Sequence, residues 1–365
     1  MPDFLTPRQY NTPPLIEKIP VAIVWATGMV GRRFAELLTD HPYFEVVALT
    51  ASQTSTGRMY GDILTERWFW VQHALAYQQL VDISELTRDR VRLVFSAFDW
   101  SKDEILRTES MLAERWLMVV SNNSAHRWTP DVPMMLPEVN HEHLELLHSQ
   151  ESYQKNGGWI VVKPNCSIQS FVPVFKAWEQ FGIKNAHVVT EQAISGAGKT
   201  FDTWPGMRDN VIPHIGWEEL KTETEPMKIL GKIEGGTLLA RTLGISVICT
   251  RVAVTDGHMA NVFIEFDRKV TKKELEDALR NFWNPLAKYH LPSSPDEFMI
   301  YTEDPDRPQA LLDRDNGNGM SITVGRLQQK WSKKWSFSWL SHNTLRWAAG
   351  WAVLTAELLI AKKYL

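Results

Sequence analysis

The residues of this chain best suited to chemistry are a cysteine, an arginine and a histidine, each set just beyond a run of strand-forming residues. Cys166 lies in Pro164-Asn165-Cys166-Ser167, directly after the apolar run Trp159 to Lys163. That position predicts a thiol opening a helix, with terminal amides to lower its pKa and to stabilise an oxyanion. Further on, Arg251-Val252-Ala253-Val254-Thr255-Asp256-Gly257-His258 follows another strand and closes in a Gly-His turn. The fork of Arg251 matches the two oxygens of a carboxylate, and His258 is a candidate base for the thiol. A third segment, residues 25 to 31, sets Gly28 and Gly31 in the register of a dinucleotide-binding turn. The amides of Thr27 to Val30, Met29 included, would face a pyrophosphate at a helix N-terminus. Each feature also has a plainer reading: a buried inert thiol, a solvated guanidinium, a surface imidazole and a tight strand-to-helix turn.

The surrounding pattern shows what must hold these groups. Val21 to Val24 reads as a buried strand, Arg32 to Thr39 as an amphipathic helix, Phe44 to Thr50 and Val91 to Ala97 as strands, Lys102 to Glu114 as a helix, and Leu117 to Val120 as a strand. Strands alternating with helices predict a doubly wound parallel sheet whose ligands sit at the carboxyl ends of the strands. The end of the second strand offers no acid for a ribose diol, whereas Ser52, Thr54, Ser55 and Arg58 suit a 2′-phosphate, so NADP is favoured over NAD. Beyond about residue 160 the strands are longer and alternate more clearly: Lys184 to Ile194, Gly244 to Val254 and Asn261 to Phe266. They suit an antiparallel or mixed sheet with one covered face. Thr271 and Glu274 form a capping box opening a helix to about Phe282. The polar stretch 199–235 reads as a long loop or dimer arm, Ser321 to Gly325 as a strand, and Asn343 to Lys362 as a closing helix.

A length of 365 residues predicts two domains, and a net charge of -4 gives no basic excess to attract nucleic acid or an anionic membrane. With only Cys166 and Cys249, the chain suits a reducing compartment and a cytoplasmic location. Met1 to Leu15 lacks the pattern of a signal peptide. The apolar stretch Trp347 to Ala361 contains Glu357 and is shorter than the roughly 20 residues of a membrane span.

Six spaced motifs, in order, carry a resemblance. They are Ala26 to Gly31, Ser121 to Arg127, Pro164 to Ser167, Gln192 to Gly198, Arg251 to His258, and Ser341-His342-Asn343-Thr344. Together they resemble the aspartate-semialdehyde dehydrogenase family, closest to its archaeal and fungal-like branch, from about residue 18 to 362. The resemblance implies a glyceraldehyde-3-phosphate-dehydrogenase-like α/β architecture. A Rossmann domain over 1–160, joined by the helix 341–365, would precede a catalytic and dimerisation domain over 161–340. It implies Cys166 as nucleophile and His258 as its acid/base partner. Gln192 and Arg251 would orient the substrate, Glu218 would take its ammonium, and Lys221 and Arg127 its phosphate. Ser195, Gly196 and Asn343 would line the nicotinamide. The implied reaction is NADP-dependent reductive dephosphorylation of aspartyl-4-phosphate to aspartate semialdehyde through a thioester, serving lysine, diaminopimelate, threonine, methionine and isoleucine biosynthesis. No metal is implied, and a homodimer or tetramer is. A malonyl-CoA reductase or other acyl-phosphate reductase of the same fold, and a catalytically silent homologue, remain alternatives.

The chain departs from that pattern in one respect. Glycine supplies 20 of 365 residues, below the ~7% usual in proteins, while tryptophan supplies 16. Trp25, Trp116, Trp217, Trp347 and Trp351 stand where glycines are expected, and Trp100 is a further candidate. The codons UGA and GGA differ at a single base, so one explanation is a gene in which UGA encodes glycine but was translated as tryptophan. The other is real divergence, in which an indole at position 25 would crowd the pyrophosphate.

Overall fold

The computed structural model describes residues 4–5, 10, 12–66, 70–71 and 74–365. The amino-terminal segment Met1 to Leu15 thus lies largely outside the described residues.

Six parallel strands form the first sheet: β1 (Ile19–Val24), β2 (Phe44–Thr50), β3 (Leu80–Val81), β4 (Leu93–Ser96), β5 (Met118–Ser121) and β6 (Trp159–Val162), in the order β3-β2-β1-β4-β5-β6. Their near-continuous apolar sequences follow from burial on both faces; Val21, Ala22, Ile23 and Val24 are fully buried. Helix α1 (Met29–Leu38) follows β1, and α2 (Lys102–Glu114) follows β4 behind the capping box of Ser101 and Glu104. The chain reverses direction across the sheet after β3, so β1 and β4 diverge at a topological switch point, where ligands of open α/β sheets bind.

The second sheet is mixed. It contains β7 (Ile183–Gln192), β8 (Val211–Ile212), β9 (Gly244–Val252), β10 (His258–Phe266), β11 (Met299–Tyr301), β12 (Ile322–Trp331) and β13 (Lys334–Ser341), in the order β8-β9-β7-β10-β13-β12-β11. Alternation along β7 and β10 turns Ala186, Val188, Ala260, Val262 and Ile264 inward. They pack on α3 (Phe171–Ala177), on Ile229 of α4 (Glu218–Ile229) and on α5 (Lys272–Arg280), the last opened by the Thr271–Glu274 capping box. The opposite face leaves Ile248 and Phe263 exposed.

Two expectations change here. The stretch 199–235 contains the helix α4 rather than only loop; its internal Pro226 and dense charge hid the helical pattern. The closing helix begins as a π-turn, Leu345–Ala349, before α6 (Gly350–Ala361) packs against the first sheet. The π-turn rotates Trp347 away from Trp351, so the two indoles do not share a face. Trp347 joins the apolar cluster shared by one side of the first sheet and the inner face of the second and reaches Ser341 Oγ, whereas Trp351 joins the separate cluster on the other side of the first sheet and donates to Met135 O at 2.8 Å.

Candidate active site

The turn after β1 is built from backbone. Gly28 N donates to Trp25 O at 3.1 Å, and α1 starts at Met29 with no side-chain cap, leaving its first amides open to an anion. A Cβ on Gly31 would stand 2.2 Å from Trp25 O, so only glycine permits this helix-to-strand approach. Beside it Ser52 Oγ lies 3.0 Å from Thr54 Oγ1 and 3.2 Å from Ser55 Oγ, a hydroxyl cluster suited to a phosphate, while Arg58 is paired with Glu66. Just past β5, both amide atoms of Asn122 are buried without a hydrogen-bond partner. These orphaned atoms and open amides fit a dinucleotide. One group is out of place: the Trp25 indole, whose Cδ1 would lie 2.9 Å from a Cβ on Gly28. It rests against Gly28 inside the turn itself.

Beyond β6 the chain passes through Lys163, Pro164 and Asn165 to Cys166, and one face of α4 holds this loop. Asn165 Nδ2 donates to both carboxylate oxygens of Glu218, at 3.1 and 2.9 Å, and Lys221 Nζ reaches Glu218 Oε1 at 3.1 Å. Thr222 Oγ1 meets Ser167 Oγ at 2.5 Å. Glu225 divides its oxygens between Arg127 Nη1, 2.8 Å away, and the backbone N–H of Asn165, 2.6 Å away. Lys228 donates to the carbonyls of Arg127, Thr129 and Val132 at 2.8, 3.1 and 2.9 Å.

The carboxyl ends of β7 and β9 and the start of β10 close the site. Gln192 and Arg251 are register partners on adjacent parallel strands, and both are buried. Arg251 Nη1 donates to Ala193 O at 2.7 Å. The bare face of Gly196 brings backbone against Arg251 and His258; a Cβ there would lie 2.9 Å from Arg251 Nη1 and 3.0 Å from His258 Nε2. Asn343 donates to Ser195 Oγ and accepts from the N–H of Gly257, both at 2.8 Å, tying Ser195 to the turn before His258. The N–H of Ala193 donates to His258 Nδ1 at 3.2 Å. The neutral ring therefore carries its proton on Nε2, which is buried without a partner.

Comparison with known proteins bears on this arrangement. Residues 20–147 match the model of the semialdehyde dehydrogenase NAD binding domain, and 173–346 that of the semialdehyde dehydrogenase dimerisation domain. Over 347 residues the chain is 40% identical to an aspartate-semialdehyde dehydrogenase of Archaeoglobus fulgidus, covering 94% of this chain and 98% of that protein. The chain belongs to the aspartate-semialdehyde dehydrogenase family. A crystal structure of the Candida albicans member of that family with NADP aligns with a TM-score of 0.80 at 32% identity, covering 96% of this chain and 100% of that one. A malonyl CoA reductase (NADP) of Metallosphaera sedula is 32% identical over 357 residues, 94% of this chain and 97% of that protein.

Against the family pattern, the thiol differs from its sequence expectation. Cys166 does not open a helix: α3 begins at Phe171, and residues 166–170 are turns. Burial pushes its pKa up, helped by Glu218, while Lys163, Arg127 and Arg251 oppose the rise. Burial likewise lowers His258 well below the ordinary histidine value, with Arg251, His342 and Lys163 adding to the effect. Reasoning from sequence missed Lys163, which acts electrostatically on both Cys166 and His258; a lysine ending a strand reads as a solvated flank. It also missed Glu225 and Lys228, whose spacing from Glu218 on α4 is visible only once the helix is recognised.

Three of the tryptophans expected to replace glycine adopt glycine's backbone. Trp25, Trp116 and Trp217 have φ of 63°, 65° and 63°, a region where a bulky residue is an outlier. Trp116 occupies the C′ position after α2: Trp116 N bonds Ala113 O and Leu117 N bonds Leu112 O, both at 3.1 Å, the Schellman pattern that favours glycine. Trp347, at φ -106°, does not share that conformation.

Proposed function

We infer that the chain is an NADP-dependent aspartate-semialdehyde dehydrogenase of aspartate-family amino-acid biosynthesis. It interconverts L-aspartyl-4-phosphate and L-aspartate 4-semialdehyde through a thioester on Cys166. The observation that carries this reading is the loop after β6, where a part-buried thiol feels the cations Lys163, Arg127 and Arg251 and the Glu218 carboxylate, and where Glu218 and Glu225 hold Asn165 beside it.

The residues divide the work by charge and reach. Arg251, beside Gln192, orients the α-carboxylate through a planar fork. Glu218 attracts the substrate ammonium, a group malonyl-CoA lacks, which favours the amino-acid substrate over the coenzyme A thioester. Arg127 and Lys221 hold the phosphate, and Glu225 fixes the direction of Arg127. The Cys166 thiolate attacks the acyl carbon and displaces phosphate, a good leaving group, and the thioester so formed accepts hydride better than a carboxylate would. His258 acts as the acid/base partner of the thiol and, with its proton on Nε2, can donate to the oxygen that gains charge when the carbonyl carbon becomes tetrahedral. NADPH, when bound, would supply the hydride; the amides opening α1 would hold its pyrophosphate, the hydroxyls of Ser52 and Ser55 together with Arg58 its 2′-phosphate, and Ser195, Gly196 and Asn343 would line its nicotinamide end.

The two sheets correspond to two domains dividing near residue 160, the closing helix returning to the first. The enzyme acts in the cytoplasm as a homo-oligomer, a dimer or tetramer joined through the uncovered face of the second sheet. No helix among the described residues is long and apolar enough to cross a membrane. The test is phosphate-dependent reduction of NADP with aspartate semialdehyde. Cys166→Ser is expected to abolish it with the fold intact, and retention of more than about a few per cent of the rate would remove the thioester from the scheme.

A further inference from the structure

The loop that follows β5 carries two groups suited to ligands, Asn122 and Arg127, and α4 holds only the second. Arg127 is fixed by Glu225 and by the carbonyl of Lys163. Asn122 is different: both of its amide atoms are buried, and neither has a hydrogen-bond partner among the described residues. Its direction is therefore set not by its own side chain but by the residues on either side, Ser121 and Asn123, which share one anchor.

That anchor is Glu109 of α2, which is fully buried. Its Oε1 accepts from Ser96 Oγ at 2.6 Å, from Ser121 Oγ at 2.7 Å and from Asn123 Nδ2 at 3.0 Å. Asn123 also donates from Nδ2 to Ser96 Oγ and from its backbone N–H to Ser121 Oγ, both at 3.1 Å. Ser96 and Ser121 are register partners at the carboxyl ends of β4 and β5, so one oxygen ties both strand ends to the loop. Successive side chains of an extended chain point in opposite directions. Pinning residues 121 and 123 to α2 thus turns residue 122 the other way, and the Asn122 N–H, bonded to Ser96 O at 2.9 Å, holds the main chain there. Burying a carboxyl is costly, and among the described residues no lysine or arginine pairs with this one. Its Oε2 faces only His126 Nε2, at 3.9 Å, and neither atom completes a hydrogen bond.

We propose that Glu109 is a positioning residue for the cofactor: through Ser121 and Asn123 it aims the Asn122 amide at NADPH, while Glu225 separately holds Arg127. The Asn122 amide offers a donor and an acceptor, so its counterpart is a group of the cofactor that both accepts and donates, such as a ribose hydroxyl or the carboxamide. Oε1 of Glu109 accepts its three bonds in either protonation state of the carboxyl. What the loop needs from residue 109 is therefore an acceptor oxygen at that point, not a charge. The assignment rests on the cofactor reading of this crevice and not on the identity of the aldehyde.

The experiment reads NADPH affinity by fluorescence titration of the full chain, and the KM values for phosphate and aldehyde by reduction of NADP. Glu109→Leu removes the acceptor while keeping similar bulk. It is expected to weaken NADPH binding by about ten-fold or more and to leave both KM values within about two-fold. Glu109→Gln keeps an amide oxygen where Oε1 stands, and its NADPH affinity is expected to stay within about three-fold of the unaltered chain. A carboxyl that merely supported the fold would lower the folded fraction, and kcat with it, but not the affinity of the molecules that fold. Hydrogen exchange, which needs no ligand, should quicken by about ten-fold or more across residues 121–126 in Glu109→Leu and stay near the unaltered rate in Glu109→Gln; this arm decides if Trp25 makes NADPH binding too weak to titrate. If Glu109→Leu does not fold by circular dichroism, Ser121→Ala removes one tie and is expected to show the same split, with about three-fold weaker NADPH binding. Unmoved affinity and exchange in Glu109→Leu, equal losses for NADPH, phosphate and aldehyde, or a loss in Glu109→Gln as large as in Glu109→Leu would overturn the proposal. A wrong aldehyde would silence turnover in every variant and leave the titration and the exchange readable.

Discussion

At the scale of single residues, the tryptophans connect backbone conformation to cofactor binding. A left-handed conformation costs an ordinary L-residue roughly 1–2 kcal/mol, and glycine avoids that cost. Trp116 is half exposed at the C-terminus of α2, so its ring contributes little packing. Trp116→Gly is therefore expected to stabilise the protein by about 1 kcal/mol, after allowing for the added freedom of the unfolded chain. A urea-unfolding midpoint that is unchanged or lowered would show that the indole earns its place. Trp25 has a second consequence. Its ring packs edge-on against Trp100, with centroids 5.8 Å apart, and lies over Gly28. Trp25→Gly is expected to tighten NADPH binding by about ten-fold or more, since pyrophosphate recognition needs close backbone approach. Equal affinity in a fluorescence titration of the two proteins would mean that the ring swings aside freely. The backbone angles support the reading of these codons as glycine at 25, 116 and 217; the packing of Trp347 and Trp351 supplies no such support.

At the scale of elements, α4 acts as the frame of the site. Glu218, Thr222, Glu225 and Lys228 recur at helical spacing, and each bonds either the cysteine loop or the Arg127 loop. Glu225 is the member whose loss should propagate furthest, because it joins Arg127, the proposed phosphate ligand, to the peptide preceding Cys166. Glu225→Gln keeps the shape but leaves the Arg127 guanidinium buried without its counter-charge. A loss of about 2–3 kcal/mol in stability is expected, together with a rise in the KM for phosphate larger than any change in the KM for aldehyde. Equal effects on both KM values would argue that α4 supports the fold alone.

At the scale of the whole molecule, burial of histidine makes stability depend on acid. Burial lowers the pKa of His126, His141, His143, His258 and His342, the last to about 4. Below about pH 6.5 the unfolded chain binds protons that the folded chain refuses, so stability should fall as pH drops from about 6.5 toward 4. Unfolding free energies at pH 7 and pH 5 differing by less than about 1 kcal/mol would contradict this. The uncovered face of the second sheet has its own consequence. Ile248 on β9 and Phe263 on β10 are exposed there, 54% and 44%, and apolar groups on a sheet face call for a cover. The double change Ile248→Asp and Phe263→Asp is expected to convert the oligomer to monomer in sedimentation, and an unchanged mass would place the subunit contact elsewhere.

What could be read from the chain depends on the distance over which a feature is encoded. The strand Phe44–Thr50, the helix Lys102–Glu114 and the capping box at Thr271 are set by neighbours a few residues apart, and they were legible. The turns at Trp25, Trp116 and Trp217 were expected from the family pattern of glycines, and their left-handed φ agrees with it. The spaced motifs also named the loops that meet at the site. The protonation states of its groups were not legible. The thiol expected at a helix terminus instead sits part-buried in a turn, under the influence of cations from distant segments. Arg127, Lys163 and Glu225 are joined by contacts spanning 36 and 98 residues, and the proton on His258 is set by an amide 65 residues away. Desolvation and counter-charge arise only when such segments pack together, and no local pattern in the chain encodes them.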